Sequence, residues 1–303
     1  MKQCILHLGS SKTGSTSLQH TLQTKLTDPG FCWLSGDGIT GPFNLVNLFA
    51  QDPRNYVAHG HFQYSPERLA ARRARLQQNL QQGLQAAAKA DRTPVLSSEY
   101  AYRMSQAEFT AVRDFLTERG FAARVCVYLR PHHDWSESSL QQHIRTRSVP
   151  SSLGDYAKRL QAHSIDHLER LTTLHTVFGS DNVDAFVFNV QAFPEGCSVL
   201  HFCRHYGIDM NREQVIKSNE ALNRNIARLL VAWTLYGKQP PVRLQSLHRD
   251  LLVARLQSLE GPRFEIHADL IRDKLAEHES QRADVENLLG LRHPLWNRYL
   301  SRR

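Results

Sequence analysis

The sequence has no apolar run long enough to span a membrane, and its first hydrophobic stretch, Cys4 to Leu8, is too short for the core of a secretory leader. Neither a transmembrane segment nor a cleaved signal is expected. Cysteine is scarce and unpaired in number: five residues, Cys4, Cys32, Cys126, Cys197 and Cys203, are scattered along the chain. Two of them fall in apolar segments that read as buried strands, so a disulfide framework is not expected and a reducing cytoplasm fits best. Internal repeats and low-complexity tails are also lacking. Acidic residues are outnumbered by basic ones, 29 to 37, which leaves a net charge of +8. That excess suits a polyanionic cofactor or an acidic acceptor, and it would equally attract nucleic acid or a membrane surface, so charge alone selects no function.

What is present is enough apolar material, 41% of 303 residues, to bury one α/β core at the upper size limit of a single domain. Helical periodicity is expected over Ser15 to Leu26, Pro66 to Ala90, Gln106 to Arg119 and Leu153 to Phe178. Strands are expected at Cys4 to Leu8, Pro94 to Tyr100, Ala123 to Leu129 and Asp184 to Phe188. The segment from Phe31 to Ser65 reads as loops and short helices that could line an acceptor cleft. From Glu195 onward the chain reads as helical. Such alternation implies βαβ units and a parallel sheet with helices on both faces. The expected organisation is an α/β core over 1–235 and a helical C-terminal extension over 236–303 packed on the same domain.

The chemistry concentrates at the start. Cys4-Ile-Leu-His-Leu-Gly-Ser-Ser-Lys12-Thr-Gly-Ser-Thr-Ser17 is a short apolar strand running into a loop with Gly9 and Gly14, then hydroxyl residues opening a helix. That order aims backbone N–H groups and a helix dipole at an anion. Gly9 to Thr16 nearly fits the Walker pattern, but Ser15 stands at its lysine position and the loop's one lysine, Lys12, comes three residues earlier. A second segment, Val125-Cys-Val-Tyr-Leu-Arg130-Pro-His-His-Asp134-Trp-Ser-Glu-Ser138, ends an apolar strand in an arginine and places a serine eight residues on. A guanidinium fork and a hydroxyl of this kind can converge on one phosphate.

Together these two segments resemble the 5′-phosphosulfate loop and the 3′-phosphate motif of the sulfotransferases that use 3′-phosphoadenosine 5′-phosphosulfate (PAPS). The resemblance covers the chain from Met1 to about Phe188. It implies a P-loop-like three-layer αβα fold with a central parallel sheet. It also implies PAPS as co-substrate, with Ser11, Lys12, Thr13, Gly14, Ser15 and Thr16 on the 5′ side and Arg130 and Ser138 on the 3′-phosphate. Lys217, in Lys217-Ser-Asn-Glu-Ala-Leu222, resembles the family's segment that folds back over the nucleotide. Because the chain opens on a core strand, it resembles the soluble bacterial branch, and a cytoplasmic enzyme is expected.

In such a transfer Lys12 would stabilise the leaving phosphate oxygen without a metal, so no metal cofactor is expected. An acceptor hydroxyl also needs a base at the carboxyl edge of a strand beside the loop, and Glu99 is the candidate. Its competing role is a structural ion pair with Arg103 or Arg130. A glutamate base resembles the carbohydrate enzymes of the family, which implies a saccharide acceptor; His59, His61 and Arg103 are candidates to touch it. Two other clusters look metal-like: His132-His133-Asp134, where helix-cap and surface roles fit better, and Cys197, His201 and His205, where packing of a half-buried helix does. The alternatives are a small-molecule P-loop kinase, which needs magnesium and a lysine nearer the Walker position, and a non-catalytic nucleotide- or RNA-binding protein on the same fold. No nucleic-acid partner is expected.

Overall fold

The first strand, β1 (Lys2–His7), is exposed at its opening residues and buried from Cys4 to His7. A segment buried on both faces belongs in the middle of a parallel sheet, and the computed structural model places it there. It describes residues 1–34, 44–56, 65–146, 166–217, 222–236, 245–256, 258–266, 269 and 272–289. Within them β2 (Phe31–Trp33), β3 (Thr93–Ser97), β4 (Phe121–Leu129) and β5 (Val183–Val187) join β1 in a five-stranded sheet of order β2-β3-β1-β4-β5. Every pairing is parallel. This is the expected α/β fold, a central parallel sheet flanked by helices.

The chain divides into two compact units. The first comprises Met1–Arg130, Ile165–Ser218 and Asp284–Leu295 and holds the whole sheet; the second comprises Pro131–Ser164, Asn219–Ala283 and Trp296–Arg303.

In the first unit, α1 (Ser15–Lys25) leaves β1 and the chain goes on to edge strand β2; after α2 (Asn44–Phe49) and α3 (Pro66–Lys89) it returns as β3 beside β1. It then crosses, through α4 (Gln106–Thr117), to β4 on the other side of β1. Connections therefore diverge around β1, and in such sheets ligands bind outside the carboxyl ends of the strands at the point of divergence. α3 starts at Pro66 with Ser65 as its cap, and α4 starts with a capping box of Ser105 and Glu108.

On one face of the sheet, Ile5, Val95, Cys126 and Tyr128 pack with Leu18 and Leu22 of α1 and with Val199, Leu200, Phe202 and Cys203 of a later helix (Ser198–Tyr206). That later helix also explains the Cys197–His205 spacing. His201 Nδ1 lies 2.8 Å from the Tyr128 hydroxyl and His205 Nε2 lies 3.4 Å from the Asp184 carboxylate, so both rings are spent on packing the helix against β4 and β5.

One element differs from the sequence reading. Phe31–Trp33 is a strand within the stretch read as loops and short helices; three residues are too few to show a period, and pairing with β3 and packing of Phe31 and Trp33 on the core decide it. Of the helix expected over Leu153 to Phe178, the described part is helical over His167–Phe178, where Asp166 is extended and its side chain accepts from the Glu169 N–H; positions 153–165 lie outside the described residues.

In the second unit, α5 (His132–Thr146) and two further helices (Arg224–Tyr236 and Gln245–Leu256) supply a separate apolar cluster of Trp135, Ile144, Ile226, Leu230 and Val253, closed by Phe264 and Ile266. Among the described residues, no helix is long and apolar enough to cross a membrane.

Leu22 is 1% exposed in the cluster that seats α1 on the sheet. Leu22→Ala is expected to cost about 2–5 kcal/mol, the usual range for a buried leucine truncated to alanine. Chemical denaturation followed by circular dichroism measures it; a loss below 1 kcal/mol would mean that α1 is not seated as described.

Candidate functional site

β1 ends at His7, and the chain reverses into α1 by two left-handed residues, Lys12 at φ 68° and Gly14 at φ 79°. Glycine adopts such angles freely, but for lysine they cost roughly 1–2 kcal/mol, a strain that persists only where surrounding bonds hold it. Here they do. The Thr13 hydroxyl donates to the Ser10 carbonyl at 2.6 Å, the Leu8 N–H donates to Cys126 O at 2.8 Å, and the Arg130 guanidinium donates to the Lys12 carbonyl oxygen. Alternating handedness of this kind turns successive N–H groups toward one concavity, an anion cradle.

Both glycines are required by space, and Gly14 by torsion as well. A Cβ on Gly9 would stand 2.4 Å from Ser15 Oγ, and one on Gly14 would stand 2.7 Å from Ser198 Oγ. Gly14 precedes α1 and offers no side chain to cap it. Ser15, the first helical residue, is 2% exposed, and its hydroxyl is buried without a protein hydrogen-bond partner. An orphaned hydroxyl beside an uncapped helix start fits a phosphate oxygen. Ser11, Lys12 and Thr16 are half-buried around it, and Thr13 is buried.

Arg130 follows β4 at the same edge of the sheet. One of its five N–H donors is used on Lys12 O, and its guanidinium lies over the Phe188 ring, 5.3 Å from the centroid. The Arg130 carbonyl is 3.2 Å from His167 Nε2. A carbonyl only accepts, so that nitrogen carries the ring proton, and Nδ1 is left to accept from the Tyr102 hydroxyl at 3.3 Å. Burial holds His167 down at a pKa of about 4, which keeps the ring neutral.

Glu99 stands two residues beyond β3 and keeps part of its surface accessible. Burial raises its carboxyl from 4.5 to about 6, against the opposing pull of the Lys12 ammonium. The Arg130 guanidinium donates to the Lys12 carbonyl, and Arg170 donates to the Arg103 carbonyl at 3.3 Å. Arg103, half-buried, has its own charge disfavoured by desolvation and by Arg170.

The phosphate loop, Arg130 and Glu99 thus share one unit and one sheet edge. Ser138 lies half-buried on α5 of the second unit. Lys217 is exposed in the first unit, next to Ile216, whose N–H donates to Thr21 Oγ1 on α1 at 2.9 Å. His59 and His61 lie outside the described residues.

The sequence reading passed over His7 and His167, two buried rings among sixteen histidines. His7 could have been noticed as a polar residue inside an apolar strand; nothing marks His167. Likewise His132 is buried rather than at the surface. In the second unit, ligand atoms of His133, Asp134 and Glu137 lie within 4.8 Å of one another. The guanidinium of Arg263, 3.1 Å from Glu137 and 3.7 Å from Asp134, already supplies positive charge to both carboxylates.

Comparison with known proteins agrees on the fold. No protein-family model matches the sequence. A relative from Archaeoglobus fulgidus, described as "Uncharacterized protein", is 27% identical over 131 residues, 43% of this chain and 34% of that protein. The matched region thus spans about a third of that relative's length. The solved structure of a sulfotransferase from Alicyclobacillus acidocaldarius aligns over 98% of this chain and 100% of its own with a TM-score of 0.51 and 13% identity. A sulfotransferase domain from the curacin biosynthetic pathway aligns over 86% and 99% with a TM-score of 0.36 and 14% identity. The first of these likenesses, at that identity, speaks for the architecture alone.

Two outcomes are expected from this geometry. Gly14→Ala meets both a positive φ and Ser198 Oγ, and should cost about 1–2 kcal/mol from the torsion alone; a double variant with Ser198→Gly should recover only the steric part of the loss, as read by melting temperature. For Glu99, a carboxyl raised from 4.5 to about 6 binds protons in the folded chain that the unfolded chain has released, so stability falls as pH rises through that window. Glu99→Gln should therefore melt above the wild type at pH 7–8 and converge with it below pH 5. A variant that is less stable throughout would mean the carboxylate has a stabilising partner.

Proposed function

We propose that the chain is a sulfotransferase that moves a sulfuryl group from PAPS to an acceptor hydroxyl or amine, with a carbohydrate as the acceptor class. The observation that carries this reading is the pairing, at one sheet edge, of a lysine inside an anion-cradling loop with a buried-edge carboxylate of raised pKa. In this reading the loop from Ser11 to Thr16 takes the 5′-phosphosulfate, Arg130 and Ser138 take the 3′-phosphate, and Lys217 serves the nucleotide. Arg103, His59 and His61 are assigned to the acceptor side.

The chemistry follows from charge. The acceptor oxygen attacks sulfur in line and its proton passes to the Glu99 carboxylate. The bond between sulfur and the 5′-phosphate oxygen breaks, and the electron pair stays on that oxygen. Lys12, the loop N–H groups and the dipole of α1 stabilise the growing charge without a metal. A glutamate with a pKa near 6 is still ionised at pH 7 and is a stronger base than an ordinary one.

Transfer from radiolabelled PAPS over a panel of glycans, lipids and phenols tests the proposal, run with and without EDTA. Lys12→Ala should lower turnover by about two to three orders of magnitude, by analogy with the loss of one preorganised donor. Chelation should leave turnover unchanged. A wild type silenced by EDTA, or a Lys12→Ala variant of normal turnover, would favour a magnesium-dependent phosphoryl transfer instead.

A further inference from the structure

Glu99 sits on a short segment whose two ends are each fixed by a buried histidine. At the near end, Ser97 closes β3 and its hydroxyl is 2.8 Å from His7 Nδ1, at the end of β1. The same hydroxyl accepts from Gln19 Nε2 on α1 at 3.0 Å. With one acceptance filled by Gln19, the serine is satisfied by donating its own proton to His7 Nδ1. The Ser98 N–H completes the join by donating to His7 O at 2.9 Å. His7, Gln19 and Ser97 are all buried, and the His7 ring packs on Tyr128 and Phe202.

At the far end, Tyr102 closes a 3₁₀ turn (Tyr100–Arg103) and its hydroxyl meets His167 Nδ1, whose other nitrogen donates to the Arg130 carbonyl. Tyr102 and His167 are buried as well. The first join ties Glu99's segment to the strand and the helix that flank the phosphate loop. The second ties it to the residue that grips the Lys12 carbonyl. Neither histidine can act as a proton carrier at neutral pH: burial holds His7 at a pKa of about 3 and His167 at about 4.

We propose that His7 and His167 are positioning residues, two buried imidazoles that clamp the segment from Ser97 to Tyr102 at both ends and thereby fix the Glu99 carboxylate against Lys12. The inference rests on the reading of Glu99 as base and Lys12 as the charge at the leaving group. It goes beyond that reading by naming what sets their separation. Other groups that act on Glu99 or its turn are Tyr100 and Arg103 on the turn itself, and Arg170, which bears on Arg103 from the helix beginning at His167. None of these belongs to the two joins.

Titration of the Glu99 carboxyl by ¹³C NMR, assigned by its loss in Glu99→Gln, tests the clamp in the full chain. His7→Phe and His167→Phe keep a ring in each space and remove the hydrogen bonds. Either should move the Glu99 midpoint by about half a pH unit or more, because its distance from Lys12 is no longer fixed. Turnover at saturating PAPS should fall about tenfold to a hundredfold, the scale of a small misplacement of a reacting group. His7→Asn, whose amide can still meet Ser97, should move the midpoint less than His7→Phe. Ser97→Ala is read in the same way should a phenylalanine variant fail to fold. A purely structural role would lower the melting temperature and leave the midpoint where it is; variants that melt earlier with Glu99 titrating as in the wild type would overturn the inference. The titration needs no transfer, so the two readings fail separately. A shifted midpoint in a chain that transfers nothing would keep the clamp and remove the proposed function.

Discussion

Between His7 and Ser15 a buried strand must become a helix, and the rest of the site depends on how that reversal is held. Two positive φ angles, one of them on a lysine, turn the loop's N–H groups inward, and Arg130 secures the strained residue by its carbonyl. The strain has a use. It turns the loop into the start of α1, where a helix dipole favours an anion. Space is as tight as torsion: Gly9 and Gly14 each lie where a methyl group would strike a neighbouring hydroxyl.

The sheet order makes this loop a meeting place. β1 lies between β3 and β4, so residues just past the ends of all three strands come to one edge: Lys12 after β1, Glu99 after β3 and Arg130 after β4. Their charges oppose each other in a graded way. Burial pushes the Glu99 carboxyl up and Lys12 pulls it down, and burial prevails, leaving a group that titrates near 6. Carboxylate and ammonium act on each other's charge at this edge, which is what the proposed base and leaving-group stabiliser require.

Much of this was legible in the sequence because backbone geometry drives it. Gly9, Gly14 and the hydroxyl run Ser15–Ser17 announce a cradle whatever surrounds them, and a strand followed by Arg130-Pro131 announces a second segment at the same edge. The parallel sheet followed from alternation of apolar runs and amphipathic helices. What sequence could not carry is tertiary. The turn that carries Arg103 is held by His167 on the Tyr102 hydroxyl and by Arg170 on the Arg103 carbonyl, partners 65 and 67 positions away. Histidines that end up buried and neutral look like any of the other fourteen until the fold surrounds them. The three-residue strand Phe31–Trp33 has too few side chains to show a period.

The central claim is that the loop and Arg130 together read two phosphates on one nucleoside, and calorimetry tests it without any assumption about the acceptor. The account predicts that 3′-phosphoadenosine 5′-phosphate binds more tightly than AMP by at least about tenfold, since a charge-assisted hydrogen bond contributes roughly 1.5–3 kcal/mol. Arg130→Ala should bring the two affinities together. Equal binding of the bisphosphate and AMP by the wild-type chain would contradict it.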